Sequence, residues 1–176
     1  MVLYPKGLTD VDRPLWDAAV AVLTTSYRTG RHEVAAAVRC TDGSIVTGLH
    51  LQGTAGRSSV CAEGVALGAV LVGQQDRHPG APLDELVDTV LAVLHRPTPD
   101  GALLRIVAPC GVCRELLADH CPQAHGYVHL PDGTPSPVQL VEQDAPGIHG
   151  APYLAAGRAQ RVQVGELLPG STRRAW

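Results

Sequence analysis

Pro109-Cys110-Gly111-Val112-Cys113-Arg114, together with the upstream Cys61-Ala62-Glu63, carries most of the information in this chain. Two thiols separated by two residues can converge on one tetrahedral zinc ion. A distant third thiol then leaves the fourth position open, which is the pattern of a catalytic rather than a structural site. A lone Cys-x-x-Cys is ambiguous between a metal site and a redox pair. The redox reading leaves Cys61 and Glu63 unexplained, so Cys61, Cys110 and Cys113 are taken as candidate Zn²⁺ ligands and Glu63 as the candidate acid/base. Each piece begins what reads as a helix. Unbonded N–H groups at a helix start favour thiolates and are expected to lower the thiol pKa values.

Outward from these pieces, Val60 to Val72 is apolar nearly all round, which predicts a helix buried on most sides. Glu63 then stands in its first turn, a costly place for a carboxylate unless a cation is near. Val34–Cys40 and Ser44–Leu51 are β-like runs joined by the turn signal Thr41-Asp42-Gly43. Leu86–Leu94 reads as a strand, Pro97–Gly101 as a turn, and Leu103–Ala108 as a strand closed by Pro109. A helix from Gly111 to His120 stops before Pro122. Tyr127–Leu130 reads as a strand, followed by a turn at Pro131-Asp132-Gly133 and a partner strand at Val138–Val141. Near the N-terminus, Asp12 is a candidate cap for a helix opening at Arg13-Pro14, with Leu15, Trp16, Ala19, Val20 and Leu23 on its core face.

Gln143 to Gly157 holds Pro, Gly, His and Tyr without periodicity and reads as a long loop. Val162–Leu168 ends the fold, and Gly170–Trp176 is a basic tail. Neither an internal repeat nor a linker interrupts residues 1–176, which are expected to form one domain. Strands alternating with helices predict a layered α/β fold, the first two strands antiparallel and the later ones linked by helices.

Composition narrows the function classes. A net charge of -3 and 3% aromatic residues argue against a nucleic-acid partner, which normally needs a basic surface and stacking platforms. The apolar runs are too interrupted to span a bilayer, and no secretory signal is evident at the N-terminus, so neither a membrane nor export is expected. Five cysteines is an odd number. With three assigned to a metal, Cys40 and Cys121 read as free thiols, consistent with a reducing cytoplasm.

The same motifs, with Arg31-His32-Glu33-Val34, Gly56-Arg57-Ser58-Ser59-Val60, Arg105-Ile106-Val107-Ala108 and Gly165-Glu166-Leu167-Leu168-Pro169 around them, resemble the cytidine deaminase superfamily and within it the blasticidin-S deaminases. The resemblance implies a three-layer α/β/α fold with a mixed, mainly five-stranded central sheet. It implies a zinc-dependent hydrolase that releases ammonia from a cyclic amidine such as a cytosine ring. Glu63 would pass protons among water, the ring nitrogen and the leaving amine. It also implies a homo-oligomer, a tetramer as in the small members. Typical cytidine deaminases carry Asn-x-Glu where this chain has His50-Leu51-Gln52. His50 agrees with the blasticidin-S deaminases, whereas Gln52 replaces a glutamate with an amide that donates as well as accepts. His50, Gln52 and Ala62 are therefore candidate substrate contacts.

Arg57 and Arg114 are candidates for softening the charge of three thiolates. The segment 143–157 is an insertion relative to the blasticidin-S deaminases, and its His149 and Tyr153 are candidate pocket residues. These features favour a modified cytosine nucleoside over plain cytidine as substrate. Pyrimidine salvage on unmodified nucleosides is the runner-up. A zinc-bearing structural protein on the same fold is the rival from another class, and the retained Glu63 counts against it.

Overall fold

At the centre of β1 (Val34–Cys40), Ala35, Ala36 and Ala37 are small enough to let a layer close down on each face of the strand. Alternation sends Ala35 and Ala37 to one side and Ala36 and Val38 to the other. Against the first side packs α1 (Arg13–Ser26), through the Leu15, Trp16, Ala19, Val20 and Leu23 face read from the sequence. Against the second pack α2 (Ala62–Gly73), the one-turn α3 (Leu83–Leu86) and α4 (Gly111–His120), which contribute Ala66, Leu67, Val70, Leu83, Leu86 and Leu117. The computed structural model describes residues 4–99, 101–130, 153–156 and 158–168, and its layering is the three-layer α/β/α architecture that was expected.

β1 pairs antiparallel with β2 (Ile45–Leu49) on one edge and with β3 (Val87–Thr98) on the other. The β1–β2 turn closes with Gly43 at φ 84° and with Asp42 Oδ1 accepting the Ser44 N–H at 2.9 Å. β3 is long enough for its far edge to serve two partners. β4 (Gly101–Val107) runs antiparallel along its C-terminal half, and β5 (His125–Leu130) lies parallel at Thr89 and Val90. β6 (Tyr153–Ala156) then pairs parallel to β4, and β7 (Arg158–Gln163) antiparallel to β5. The sheet is mixed, as expected, but has seven strands. No helix among the described residues is long and apolar enough to cross a membrane.

Several readings change. β3 and β4 form a hairpin across the turn read between them, but the turn is tighter, since β3 continues through Pro97, which was read as its start. Its ladder with β1 ends at Val34↔Leu94, so Pro97 lies where β3 has no neighbour on that edge and a missing N–H is tolerated. Tyr153–Ala156, read as part of a loop, is a strand. The turn at 131–133, the strand at Val138–Val141, most of the segment 143–157 and the tail from Gly170 lie outside the described residues. Helix α2 is buried on one side rather than most. Leu71 and Val72 are 39% and 77% exposed, because a single sheet covers only the face carrying Ala62, Ala66, Leu67 and Val70.

Asp12 does not cap α1 with its side chain. It is fully buried, with Oδ1 2.6 Å from Arg39 Nη1 and Oδ2 3.3 Å from Arg161 Nε. Oδ2 also accepts hydrogen bonds from Tyr127 Oη and Thr9 Oγ1, each at 2.7 Å. Burial pushes the carboxyl pKa up, but the bonds from Thr9, Tyr127 and Arg39 outweigh it and hold the group below its usual value. A carboxyl lowered in the fold contributes stability that is complete above its unfolded pKa of about 3.9 and is lost as pH falls through the lower native value. Asp12→Asn, which leaves two guanidinium groups facing an amide, should cost about 3–5 kcal/mol in urea unfolding at neutral pH. It should also flatten the pH dependence below about pH 4. Full stability in the variant would make the network ornamental.

Candidate active site

Two helix starts meet at one end of the sheet. Cys61 is the residue immediately before α2, and Cys110 holds the same place before α4. Their carbonyls accept the N–H groups of Val65 and Arg114 at 3.2 and 2.9 Å, so each cysteine is fixed by the first turn that follows it. Cys113 lies in the first turn of α4 and is buried, whereas Cys110 is exposed and Cys61 half-buried. The three Sγ atoms lie within 4.8 Å of one another, and those of Cys61 and Cys110 are 3.5 Å apart. Sulfurs of a tetrahedral site with Zn–S near 2.3 Å stand about 3.8 Å apart, so the donor set fits the ion. Among the described residues these cysteines form the one such cluster.

The three thiols do not titrate alike. Burial raises the Cys61 thiol, with the neighbouring Cys110 adding to it, and burial with the Glu63 charge raises Cys113 strongly. Burial acts the same way on Cys110, but the Cys113 backbone N–H and the two other thiols bring it below its ordinary value. The expected lowering at all three positions is thus found at one, because burial, and after it the like charges that share the site, outweigh the helix ends. A divalent ion reverses that balance, since a coordinating thiol is deprotonated outright.

Glu63 is 5% exposed in the first turn of α2, and desolvation raises its pKa against the lowering effect of its own backbone N–H, Cys113 and His50. It shares a cavity of about 160 Å³ with His50, Cys61, Ala62 and Cys110, closed on the sheet side by Val34, Val107 and Ala108. The three sheet-side residues were not singled out as site residues from the sequence. The period-two pattern that places Val34 and Val107 on the α2 face was the available signal. Helix α2 approaches β2 very closely. A Cβ at Gly48 would collide with the Ala62 carbonyl oxygen and the Ala66 amide nitrogen.

The other candidate residues separate. The buried Nδ1 of His50 has no hydrogen-bond partner, and the His50 carbonyl lies 2.8 Å from Nδ1 of His32. Gln52 is not among the cavity residues. Its backbone N–H donates to the Arg31 carbonyl at 3.0 Å, and its side-chain Nε2 donates to the Gly53 carbonyl at 3.2 Å. Arg57 is exposed in the 3-10 turn Gly56–Ser58. Arg114 donates from Nε to the Pro109 carbonyl at 2.8 Å, bracing the peptide before Cys110 rather than bonding a sulfur. Tyr153 opens β6, whose Tyr153–Ala156 run pairs with Ala102–Arg105 of β4, and His149 lies outside the described residues.

No protein-family model matches the chain. Over 127 residues it is 37% identical to the blasticidin-S deaminase of Bacillus cereus, a match covering 70% of this chain and 83% of that protein. The fold is similar to the crystal structure of cytidine deaminase from Burkholderia pseudomallei, with a TM-score of 0.57 at 17% identity over 94% of this chain and 100% of the other. It is also similar to the cytidine deaminase from Mycobacterium leprae, with a TM-score of 0.53 at 21% identity over 92% and 99%. The solved structures speak for the fold, which is that of the cytidine deaminases, and the curated relative for the lineage: the chain belongs to the blasticidin-S deaminase family.

Proposed function

We propose that the protein is a zinc-dependent hydrolase that deaminates a cytosine-like ring. The observation that carries this reading is the convergence of three thiols within 4.8 Å of one another, two of which, Cys61 and Cys110, line a small cavity together with the buried Glu63. Cys61, Cys110 and Cys113 would hold the ion, leaving one position open. When bound, zinc supplies the Lewis acidity that makes water a nucleophile near neutral pH. Glu63 would take one proton from the attacking water and deliver it to the ring nitrogen, then take the second from the hydroxyl so added to the ring carbon and deliver it to the amine, which leaves as ammonia when the C–N bond breaks and the C=O bond forms. Val34, Val107 and Ala108 give the ring an apolar wall, and Arg114 holds the Pro109 peptide so that Cys110 keeps its place.

A modified cytosine nucleoside such as blasticidin S is the proposed substrate. His50, in place of the asparagine of typical cytidine deaminases, lines the cavity, and its buried Nδ1 is available to a substrate. A site built to bond one hydroxyl pattern can reject an analogue lacking it by about 10⁴–10⁵-fold. Zinc content and ammonia release, with kcat/KM compared for blasticidin S, cytidine and deoxycytidine, test both levels of the reading. Efficient turnover of plain cytidine would return the enzyme to pyrimidine salvage. Bound zinc with no ammonia from any of the three would leave a zinc-bearing structural protein. Because Gln52 stands off the cavity, Gln52→Glu is expected to change the ratio between the substrates less than His50→Asn.

The chain is further proposed to assemble with copies of itself, as a tetramer. Leu71 and Val72 on α2 and Val112 on α4, the last two 77% and 74% exposed, are apolar groups that a subunit contact would cover. Light scattering at micromolar concentration should give a multiple of the chain mass, and a monomer would refute the assembly.

A further inference from the structure

Of the run Arg31-His32-Glu33-Val34, only the valine lines the cavity around Glu63. The residues before it form a small closed turn, 28–32, ahead of β1. The Arg28 carbonyl accepts the N–H groups of Arg31 and His32 at 3.0 and 2.8 Å. Gly30 closes the turn in the left-handed conformation, with φ 70°. The Glu33 carboxylate accepts the Gly30 N–H at 2.9 Å and fixes the turn to the start of the strand.

This turn grips the segment that leaves β2. The Arg31 carbonyl accepts the Gln52 N–H at 3.0 Å, and Arg31 Nη1 donates to the Gln52 carbonyl at 3.2 Å. His32 Nδ1 stands 2.8 Å from the His50 carbonyl. A carbonyl oxygen only accepts, so Nδ1 is the donor. His50 is thus held on both sides of its Cα, since its own N–H donates to the Val34 carbonyl at 2.8 Å. Its ring borders the cavity, yet the buried Nδ1 has no hydrogen-bond partner. Main-chain bonds therefore aim the ring, and the one that a side chain supplies comes from His32. His32 itself is outside the cavity wall and lines a separate cleft with residues 25–29 and Leu49. Its route to the cavity runs through His50.

We propose that His32 is the positioning residue of His50: its bond to the His50 carbonyl aims the imidazole into the cavity and so sets substrate affinity. The assignment rests on the reading of that cavity as the reacting pocket. A brace that merely held the turn would act on zinc, turnover and affinity alike. A positioning bond acts on affinity, because Glu63 and the cysteines are anchored separately, at the starts of α2 and α4. Asparagine supplies the control. Its side-chain N–H₂ is attached at Cγ, as Nδ1 is in histidine, and can donate to the same carbonyl, whereas leucine has no donor.

Two measurements on the zinc-loaded protein test it. In isotope-labelled protein the NMR resonances of the His50 ring report its setting without any ligand. They should move in His32→Leu and return to the parent positions in His32→Asn. Ammonia release from blasticidin S should show KM raised about 5- to 30-fold in His32→Leu, the scale of one lost buried hydrogen bond. Turnover number should stay within about threefold, and His32→Asn should bring KM back to within about threefold of the parent. With His50→Ala in place, His32→Leu should add less than about twofold. His32→Phe, a ring without a donor, is the second variant should leucine impair folding. Unmoved His50 resonances, additive effects in the double variant, or parallel losses of kcat and zinc would overturn the assignment. No ammonia from blasticidin S, cytidine or deoxycytidine would sink the deaminase reading instead, and the resonances would still decide whether His32 sets His50.

Discussion

Glu63→Gln is expected to keep the fold and the metal and to lose turnover by roughly 10²–10⁴-fold or more, the range for a single acid–base role. The amide matches the carboxylate in size and occupies the same first turn of α2, so packing around Ala62 and Ala66 should be unchanged. What the amide lacks is the ability to accept a proton. One side chain is proposed here for several successive transfers, which places the loss at the upper end of the range. Zinc-matched samples are needed, because metal loss would mimic the effect. A fall of less than about tenfold in such samples would pass the role to another group.

The second large effect is on metal. Cys113→Ala should reduce zinc from about one ion per chain to a small fraction after gel filtration, since three thiols with an open fourth position leave none to spare. Cys113 is the most buried of the three and sits in the first turn of α4, where water is poorly placed to replace its sulfur. Added zinc should raise the melting temperature of the metal-depleted parent by mass action and leave the variant unmoved. Full occupancy in Cys113→Ala would remove this cysteine from the ligand set.

How far the sequence could be read depended on whether the deciding contacts were local. The helix Gly111–His120 falls where it was expected, because Pro109 and Pro122 punctuate it and the cysteine spacing sets its start. The hairpin at Asp42-Gly43 is as plain, since a single turn chooses its register. Asp12 was misread for the opposite reason. Its sequence neighbours describe a helix cap, and the arginines that capture it come from β1 and β7, invisible at that distance along the chain. The strand Tyr153–Ala156 has four residues and no alternating pattern, and its place depends on β4 offering an open edge. Apolar residues all round α2 likewise say that the helix avoids water, not which surface covers it. At the site, the residues carrying chemistry stood out by type, while Val34 and Val107 looked like any other strand valines.

The contact between Gly48 and α2 bears on how such an enzyme can change its preferences over evolutionary time. Ala62, the residue against which Gly48 is pressed, lies between Cys61 and Glu63, so any side chain at 48 would displace the two together. Two residues on, His50 borders the cavity without that constraint. A lineage can therefore drift at the tip of β2 and meet new molecules there, while the same strand one step inside stays closed to variation. Selectivity and reactivity are inherited on one strand but are free to diverge at very different rates.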